Sequence, residues 1–303
     1  MKSINLYWYK IADGSSNYGD ELNSFIVQEL TGKKIKHIPY PYKWYKVPLI
    51  YLNNLIRKRG YANLRGMFDS FFARKILFAI GSVLQIYDRS GVIVWGSGII
   101  REDTVVRNAD FRAVRGPKTA GKLKGYGYDA PNVFGDPALL LPLMISPASK
   151  KWKVGIVPNY KHYEELKEKF EFPEEYRLID LRDGVETVTN ELTSCEFILA
   201  TSLHGVIVAH AYSIPALWVD FKLENSLAGD DIKFEDYLIS VNIKPYSPVE
   251  INSLDLEYIK RLMEENKEKI WINNDLSNIQ IKLLKAFPFA LKKDYQKLIK
   301  SSK

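Results

Sequence analysis

Short apolar runs that end at glycine or at a polar turn alternate with segments of helical periodicity along this 303-residue chain. Residues 4–9, 76–80 and 92–95 are rich in strand-forming side chains, and a glycine directly follows each of the last two. Residues 21–30 place apolar side chains at helical spacing and end before Gly32, a typical helix C-cap. Apolar strands separated by helices are typical of parallel sheets that are covered on both faces. The alternation therefore predicts an α/β fold.

The same alternation restarts after a stretch near residues 141–153 that is rich in proline, serine and lysine. Because domains hold roughly 100–200 residues, we predict two doubly wound α/β domains. They comprise residues 1–146 and residues 147–303, and the second includes an amphipathic helical tail over 254–300. Ligands of such sheets bind at the carboxyl ends of strands, so the site is expected in the cleft between the domains. Further strands are predicted at residues 111–115, 153–157, 177–180, 197–200 and 216–219.

Composition excludes several other classes of protein. Hydrophobic residues make up 46% and charged residues 26% of the chain, which excludes a disordered or collagen-like protein. The single cysteine, Cys195, cannot form an intrachain disulfide or a cysteine-rich zinc site, and it favours a reducing compartment. The uncharged stretch 197–219 contains histidines, a proline and hydroxyl side chains, so we reject a membrane span there. Without a visible signal peptide, the expected location is cytoplasmic, and no metal motif is present.

Charge is distributed unevenly along the chain. Residues 1–150 hold 22 Lys and Arg against 11 Asp and Glu, whereas residues 151–303 hold 21 against 25. The excess concentrates in residues 33–75, the basic aromatic segment, which has 11 basic residues, one acid and nine aromatic residues. This composition favours a polyanionic partner, which is a phosphate-bearing ligand, an anionic membrane surface or a nucleic acid. Because no known nucleic-acid-binding motif is present, we expect no nucleic-acid partner.

The strongest candidate for chemistry is the segment TSLHG at residues 201–205, between the predicted strand 197–200 and a predicted helix. His204 then lies at a helix N-terminus, where backbone N–H groups favour an anion. Histidine is suited to proton transfer near neutral pH, and Gly205 lets a ligand approach the backbone. The alternative is a core histidine that is satisfied by the backbone. His210 points to a different face of the helix and is predicted to be structural.

Two loops in the first half carry acidic candidates. Residues 17–22, NYGDEL, follow the first predicted strand, and Asp20 is suited to cap the next helix. The alternative is that Asp20 and Glu21 bind sugar hydroxyls or accept a proton. Asp136 lies in the turn GDP at residues 135–137 and is expected only to stabilise that turn.

Basic candidates are found in both halves. Arg115 ends a predicted strand just before a helix, and arginine recognises carboxylate or phosphate groups through paired hydrogen bonds. That position favours a role in the cleft over a solvated surface arginine. Residues 96–98, GSG, resemble a phosphate-binding loop but lack the rest of a dinucleotide fingerprint. Taken alone, Lys233 is predicted to be a solvated lysine in an acidic loop.

Five of these segments together resemble the polysaccharide pyruvyl transferase family over roughly residues 4–240. Each motif is short, but five motifs in the family's order are specific, and a typical AYSIP segment follows the last of them. The motifs are NYGDEL at 17–22, VWGSG at 94–98, VRGP at 114–117, VFGDP at 133–137 and SLHG at 202–205.

The resemblance implies two Rossmann-like domains that face a cleft, as in the glycosyltransferase-B (GT-B) architecture. It implies transfer of the pyruvyl group of phosphoenolpyruvate to a sugar, which forms a pyruvate ketal and releases phosphate. Such transferases act in the synthesis of bacterial capsules, exopolysaccharides and cell-wall polymers. Phosphoenolpyruvate would be the donor substrate, and no cofactor is expected. The alternative is a glycosyltransferase that uses a nucleotide sugar in the same cleft, although no nucleotide-binding motif supports it.

The resemblance also implies roles for individual residues. His204 would be the general acid that protonates the enol carbon, and Asp20 is our candidate for the base. The donor would lie on the second domain, near SLHG and Lys233, and the acceptor on the first domain. The expected substrate contacts are Arg115, Ser202, Leu203, Gly205 and Lys233 for the donor, and Asn17, Gly19, Glu21, Ser97 and Gly98 elsewhere in the cleft.

The chain departs from the family pattern at three places. Ser202 stands where many members have an arginine, which increases the need for Arg115 or Lys233 as anion ligands. Asn159 follows Pro158 where many members have a histidine. Residues 39–74 match no family motif. Their basic and aromatic character predicts a dock for a polyprenyl-pyrophosphate-linked sugar acceptor, in peripheral contact with the anionic inner face of the cytoplasmic membrane.

Overall fold

The computed structural model describes residues 3–11, 17–59, 62–224, 229–272 and 274–302. The first half forms a parallel five-stranded sheet of order β2-β1-β3-β4-β5. Its strands are β1 (Ser3–Tyr7), β2 (Lys34–His37), β3 (Ile76–Phe78), β4 (Val92–Trp95) and β5 (Asp110–Ala113). Its helices are α1 (Tyr18–Thr31), α2 (Val47–Ile56), α3 (Leu64–Phe72) and α4 (Pro117–Gly125).

The second half forms another parallel five-stranded sheet, of order β10-β9-β8-β6-β7. Its strands are β6 (Trp152–Val157), β7 (Tyr176–Leu178), β8 (Cys195–Ala200), β9 (Ala216–Asp220) and β10 (Val249–Glu250). The helices that follow β6 and the later strands are α5 (Tyr163–Lys169), α6 (Val185–Thr193), α7 (Leu203–Ala211), α8 (Ile232–Ser240), α9 (Leu256–Glu265), α10 (Leu276–Ala286) and α11 (Lys293–Ser301).

The two sheets share one strand order. Counted from its own first strand, each sheet runs second, first, third, fourth, fifth, which is the order of flavodoxin-like doubly wound folds. Two parallel sheets in a mixed α/β chain confirm the predicted α/β class and are consistent with two Rossmann-like domains. All eight strands predicted from the sequence are present, with bounds that differ by at most two residues.

Two strands were missed by the sequence prediction. β2 has the sequence KIKH and lies at an edge of the first sheet, where lysines protect an exposed strand from pairing with other chains. β10 has two residues at an edge of the second sheet. Edge strands need not be apolar on both faces, so neither strand has the continuous apolar run that marks a central parallel strand.

The stretch 197–219 is buried protein core. It comprises most of β8, all of α7 and most of β9, and α7 packs against both the second sheet and the 3-10 helix Pro137–Leu143. A helix that is covered on all sides has no polar face, which explains why this stretch carries no charge. Within the described ranges, no helix is long and apolar enough to span a membrane.

The C-terminal helices return to the first half of the molecule. The indole Nε1 of Trp95 donates to the carbonyl of Leu283 at 2.9 Å, and the amide of Lys292 donates to the carbonyl of Leu30 at 2.8 Å. The tail is thus helical as predicted, and α10 and α11 contact the side of the molecule that holds the first sheet. The predicted division of the chain at residue 146 stays a prediction.

Candidate functional site

A cleft of about 360 Å³ lies where the carboxyl ends of both sheets meet. Its walls come from the loops that follow β1 and β3 in the first sheet, and β6 and β8 in the second. Each pair of loops lies at the point where the strand order of its sheet reverses, which is where open α/β sheets bind ligands. The lining includes Tyr9, Asn17, Asp20 and Ser82 on the first side, Asn159, Lys161, Ser202, Leu203, His204 and Lys233 on the second, and Arg115 and Asp136.

His204 is the second residue of α7 and borders this cleft, with 15% of its side chain exposed. Its imidazole packs directly on the backbone of α1. A Cβ atom built on Gly19 would lie 2.1 Å from the ring Nδ1, so no side chain fits at that position. The glycine of NYGDEL therefore makes room for the histidine of SLHG. This contact explains physically why two motifs that are distant in sequence occur together.

Asp136 faces His204. The Nε2 of the imidazole lies 3.8 Å from Oδ2 of the carboxyl group, and within the described residues neither atom has a hydrogen-bond partner. The other carboxyl oxygen, Oδ1, accepts a hydrogen bond from the amide of Ala138 at 2.9 Å. The predicted role of Asp136 in a turn is therefore confirmed. The prediction that it does nothing more was too narrow, because the side chain also lines the cleft beside the histidine.

Burial controls where the His204–Asp136 pair carries its proton. Burial lowers the pKa of His204 to about 3, and the positive charges of Arg115 and Lys233 act in the same direction. Burial raises the pKa of Asp136 to about 7, although the Ala138 amide and Arg115 oppose it. With only the protein's own charges around it, the pair thus holds a proton below about pH 7, and that proton resides on the carboxyl group.

Arg115 lies at the base of the cleft and is 1% exposed. Its guanidinium donates to Ser82 Oγ at 2.6 Å and to the carbonyl of Ile99 at 2.7 Å, and its Nε lies 3.2 Å from Oδ2 of Asp236. Gly98 gives the guanidinium room, since a Cβ there would lie 2.5 Å from its Cζ. The two motifs VWGSG and VRGP are therefore joined by one buried cation.

Replacing Asp236 with asparagine is expected to lower the free energy of unfolding by about 3–5 kcal/mol, because the guanidinium of Arg115 would remain buried without a counter-charge. Asp236 is fully buried, and both of its oxygens also accept hydrogen bonds from Thr119. Urea unfolding measures the change. A matched control is Glu235→Gln, which removes only an exposed ion pair with Lys118 and should change the free energy by less than about 1 kcal/mol. Equal effects of both variants would contradict the assignment.

Cationic groups converge at the α7 side of the cleft. Lys233 is partly buried there, and no carboxylate of the described residues lies within ion-pair distance of its ammonium group. Burial and the nearby charge of Arg115 lower the pKa of Lys233, so this side chain is not the solvated surface lysine that its sequence context suggested. The N-terminus of α7 points at the same region, and Ser202 does not cap it through its side chain. The region is suited to an anion.

Asp20 lies on the opposite wall, inside the first turn of α1. The helix begins at Tyr18 with Asn17 in the N-cap position, so the predicted capping role of Asp20 is wrong. Its Oδ2 accepts a hydrogen bond from the side-chain amide of Asn17 at 2.7 Å. Burial raises the pKa of Asp20 to about 7, with Asn17 opposing and Glu21 adding to the shift. A carboxyl group with this pKa can accept or release a proton near neutral pH.

Four other predicted contact residues lie behind the cleft wall. Glu21 accepts a hydrogen bond from Trp8 Nε1 at 3.3 Å and lines a separate surface pocket beside Arg182. Ser97 is fully buried. The positions of Gly98 and Gly205 allow close packing instead, since a Cβ on Gly205 would lie 2.8 Å from Val157 Cγ1. Ser97, Gly98 and Gly205 therefore support the cleft through close packing behind its wall.

Sequence reasoning missed part of the lining. The loop 159–161 after β6 contributes Asn159, Tyr160 and Lys161, and the segment after β3 contributes Ser82 and Gln85. The signal was available, because each of these loops follows a predicted strand that neighbours the switch point of its sheet. His210, by contrast, is structural as predicted: its Nδ1 lies 3.0 Å from the hydroxyl of Tyr237, and its side chain is buried.

Comparison with known proteins identifies the family of this chain. The family model described as polysaccharide pyruvyl transferase matches residues 17–222, which is more than half of the chain. An uncharacterized protein, L143, of Acanthamoeba polyphaga mimivirus is 30% identical over 190 residues. That match spans 58% of this chain and 66% of the viral protein, slightly less than two thirds of its length. The chain belongs to the polysaccharide pyruvyl transferase family.

Proposed function

We propose that this protein transfers the pyruvyl group of phosphoenolpyruvate to two hydroxyls of a sugar and releases phosphate. The observation that carries the proposal is the pairing of His204 with Asp136 directly beside the cationic end of the cleft. Protonation of an enol carbon needs a buried acid, and an anionic donor needs fixed positive charge next to that acid. Both requirements are met by the arrangement around the N-terminus of α7.

Donor binding depends on charge. Phosphoenolpyruvate carries a carboxylate and a phosphate, and the cleft offers Lys233, the charge of Arg115 and the free N–H groups at the start of α7. Lys161 lines the same region. Because the Arg115 nitrogens already face Ser82, Ile99 and Asp236, we assign direct anion contacts chiefly to Lys233 and the helix N-terminus.

The bound donor would raise the pKa of His204. The cations that depress it are then partly neutralised, so the proton of the His204–Asp136 pair can move to the imidazole. His204 delivers that proton to the CH₂ carbon of the donor, and C2 becomes an oxocarbenium-like centre. Two sugar hydroxyls add to C2 and phosphate leaves. One hydroxyl proton replaces the proton lost by the pair, and the other passes through Asp20, the candidate base, to the departing phosphate.

The acceptor would lie on the first-sheet side. There Asp20 is our candidate for the group that takes a hydroxyl proton, because its raised pKa of about 7 suits a general base. A second cavity of about 180 Å³, the aromatic pocket, adjoins the cleft and shares Tyr9 and Ile86 with it. Aromatic faces and hydrogen-bonding groups in one pocket suit a sugar ring. The aromatic pocket is lined by Tyr7, Trp8, Tyr9, His37, Tyr40, Tyr42 and neighbouring residues, including Ile50, Asn54 and Arg59.

Three further parts of the proposal concern the domain arrangement, the cellular location and the acceptor. Loops at the carboxyl ends of two parallel sheets line one cleft, which supports a GT-B-like arrangement of two Rossmann-like domains. Phosphoenolpyruvate is a cytoplasmic metabolite, which supports a cytoplasmic reaction. We further propose a lipid-linked sugar as the acceptor in bacterial surface polysaccharide synthesis, since the aromatic pocket lies beside the basic aromatic segment.

The direct test is incubation of the purified protein with phosphoenolpyruvate and a panel of lipid-linked and soluble sugars. Acceptor-dependent phosphate release, with a product mass gain of one pyruvate minus one water, is the expected result. Turnover of a nucleotide sugar, without use of phosphoenolpyruvate, would overturn the proposal in favour of glycosyl transfer.

Replacing Lys233 with methionine is expected to raise the KM for phosphoenolpyruvate about 10²-fold, because a partly buried cation that contacts the donor anion would be lost. Folding should be unaffected, since the ammonium group makes no ion pair with any described residue and already carries a desolvation penalty. Steady-state kinetics over a range of donor concentrations measures the effect. Lys124→Met, an exposed lysine on α4, is the matched control. An unchanged KM in the Lys233 variant would refute the donor contact.

A further inference from the structure

The helical hairpin formed by α2 and α3, together with the 3-10 helix Trp44–Lys46, exposes large apolar side chains to solvent. On α2 they recur at Leu49, Leu52 and Ile56, and the first and last of these are 70% and 79% exposed. On α3 they recur every four residues, at Leu64, Phe68 and Phe72. Contiguous exposed apolar surface of this extent is typical of an interaction site in a soluble protein.

The exposed apolar side chains of α2 lie on the face of the helix that points away from the rest of the protein. The opposite face of α2 is the one that packs on the protein, through Val47, Ile50 and Asn54. The apolar stripe is thus an addition to the packing face and does not itself contribute to the core. Aromatic rings extend it, because Trp44 contacts Phe71 at a centroid distance of 5.8 Å and Phe71 contacts Phe72 at 5.0 Å.

Basic side chains surround this apolar surface. The single acid of the segment, Asp69, is already paired with Lys36 at 2.6 Å and lies 3.9 Å from Arg65. Exposed cations that make no ion pair with a described residue therefore remain on the hairpin and beside it. They include Lys43, Arg57 and Lys58.

We infer that the α2–α3 hairpin docks the protein onto an anionic lipid bilayer. An interfacial membrane-binding helix has apolar side chains on one face, aromatic residues at the rim of that face and flanking Lys and Arg residues. The hairpin has all three features. Anionic headgroups complement the excess positive charge. A second copy of this chain is a poorer occupant, since a two-fold interface would place the same unpaired cations against each other.

The α2–α3 hairpin also lies next to the cavities of the candidate site. Ile50 and Asn54 of α2 line the aromatic pocket, which shares the lining residues Tyr9 and Ile86 with the cleft. If the proposed function holds, a sugar carried on a membrane lipid reaches His204 from this side. The docking inference itself depends only on the exposed surface, so it stands or falls independently of catalysis.

The test is flotation of the full-length protein with phosphatidylcholine vesicles that contain or lack phosphatidylglycerol. We expect binding to the anionic vesicles, weakened by salt. The charge variant, Lys43, Arg57 and Lys58 each replaced by Gln, should reduce the partition coefficient about 10²-fold. The apolar variant, Leu49, Leu52 and Ile56 each replaced by Gln, should reduce it at least about 10²-fold. All six positions are exposed.

Matched controls change the same chemistry elsewhere. Replacing the exposed residues Lys124, Lys151 and Lys293 by Gln removes an equal charge, and replacing Val105 and Leu298 by Gln removes exposed apolar side chains. Circular dichroism verifies that each variant is folded. The inference is overturned if wild-type protein does not bind anionic vesicles, or if control and hairpin variants lose binding equally. It is also overturned if the hairpin variants dissociate a dimer that binds no vesicles.

Discussion

Replacing His204 with alanine is expected to lower kcat for pyruvyl transfer about 10³-fold and to leave the KM for phosphoenolpyruvate nearly unchanged. In the proposed mechanism, the imidazole carries the proton of the His204–Asp136 pair to the donor carbon, whereas donor affinity depends on Lys233 and the α7 N-terminus. The loss should therefore appear in the chemical step. Single-turnover measurement of phosphate release separates that step from binding.

Two controls make the result specific. His210→Gln alters a buried histidine whose Nδ1 contacts the hydroxyl of Tyr237 outside the cleft, so activity should persist while thermal stability falls. Added imidazole should restore part of the activity of His204→Ala, because the substitution leaves space beside Gly19 for a small proton donor. Activity that survives in His204→Ala without imidazole would remove the histidine from the mechanism and leave the reaction to another acid.

Replacing Asp136 with asparagine is expected to lower kcat about 10²-fold and to change the pH profile. In the wild-type protein, the proton of the pair is lost as the pH rises through the pKa of Asp136, about 7. In the proposed mechanism the protonated pair is the active form, so kcat/KM should fall above about pH 7. Asparagine cannot hold this proton, and the depressed pKa of His204 then governs the pair. The falling limb should move to lower pH by more than one unit.

The measurement is kcat/KM for phosphoenolpyruvate between pH 5 and 9, with wild type and variant in the same buffers. Ionisation of the donor itself is common to both profiles, so the difference between them belongs to the protein. Asparagine can still accept the hydrogen bond from the Ala138 amide, which preserves the turn. A lower kcat with an unchanged pH profile would assign Asp136 a purely structural role.

The parts of this fold that could be predicted from the sequence are those decided by local pattern. Central strands such as β4 are apolar on both faces and were predicted, as was the end of α1 at Gly32, which adopts the left-handed conformation that favours glycine. The start of α1 was not predicted correctly. Asp20 is a good N-cap by type, but the cap position is occupied by Asn17, and a three-residue shift in a helix start is decided by packing.

The candidate site divides in the same way. The sequence alone determined the two parallel α/β patterns and the unequal charge of the halves. It also determined the motifs that place His204, Arg115 and Asp20 near junctions between a strand and the following helix. Those properties depend on neighbours in the chain. Only the tertiary structure decided three features of the site. They are the approach of Asp136 to His204, the space that Gly19 leaves for the imidazole, and the buried Arg115–Asp236 pair. Each of these contacts joins residues that are distant in the sequence. The protonation states of the buried side chains depend on burial by segments from both halves of the chain.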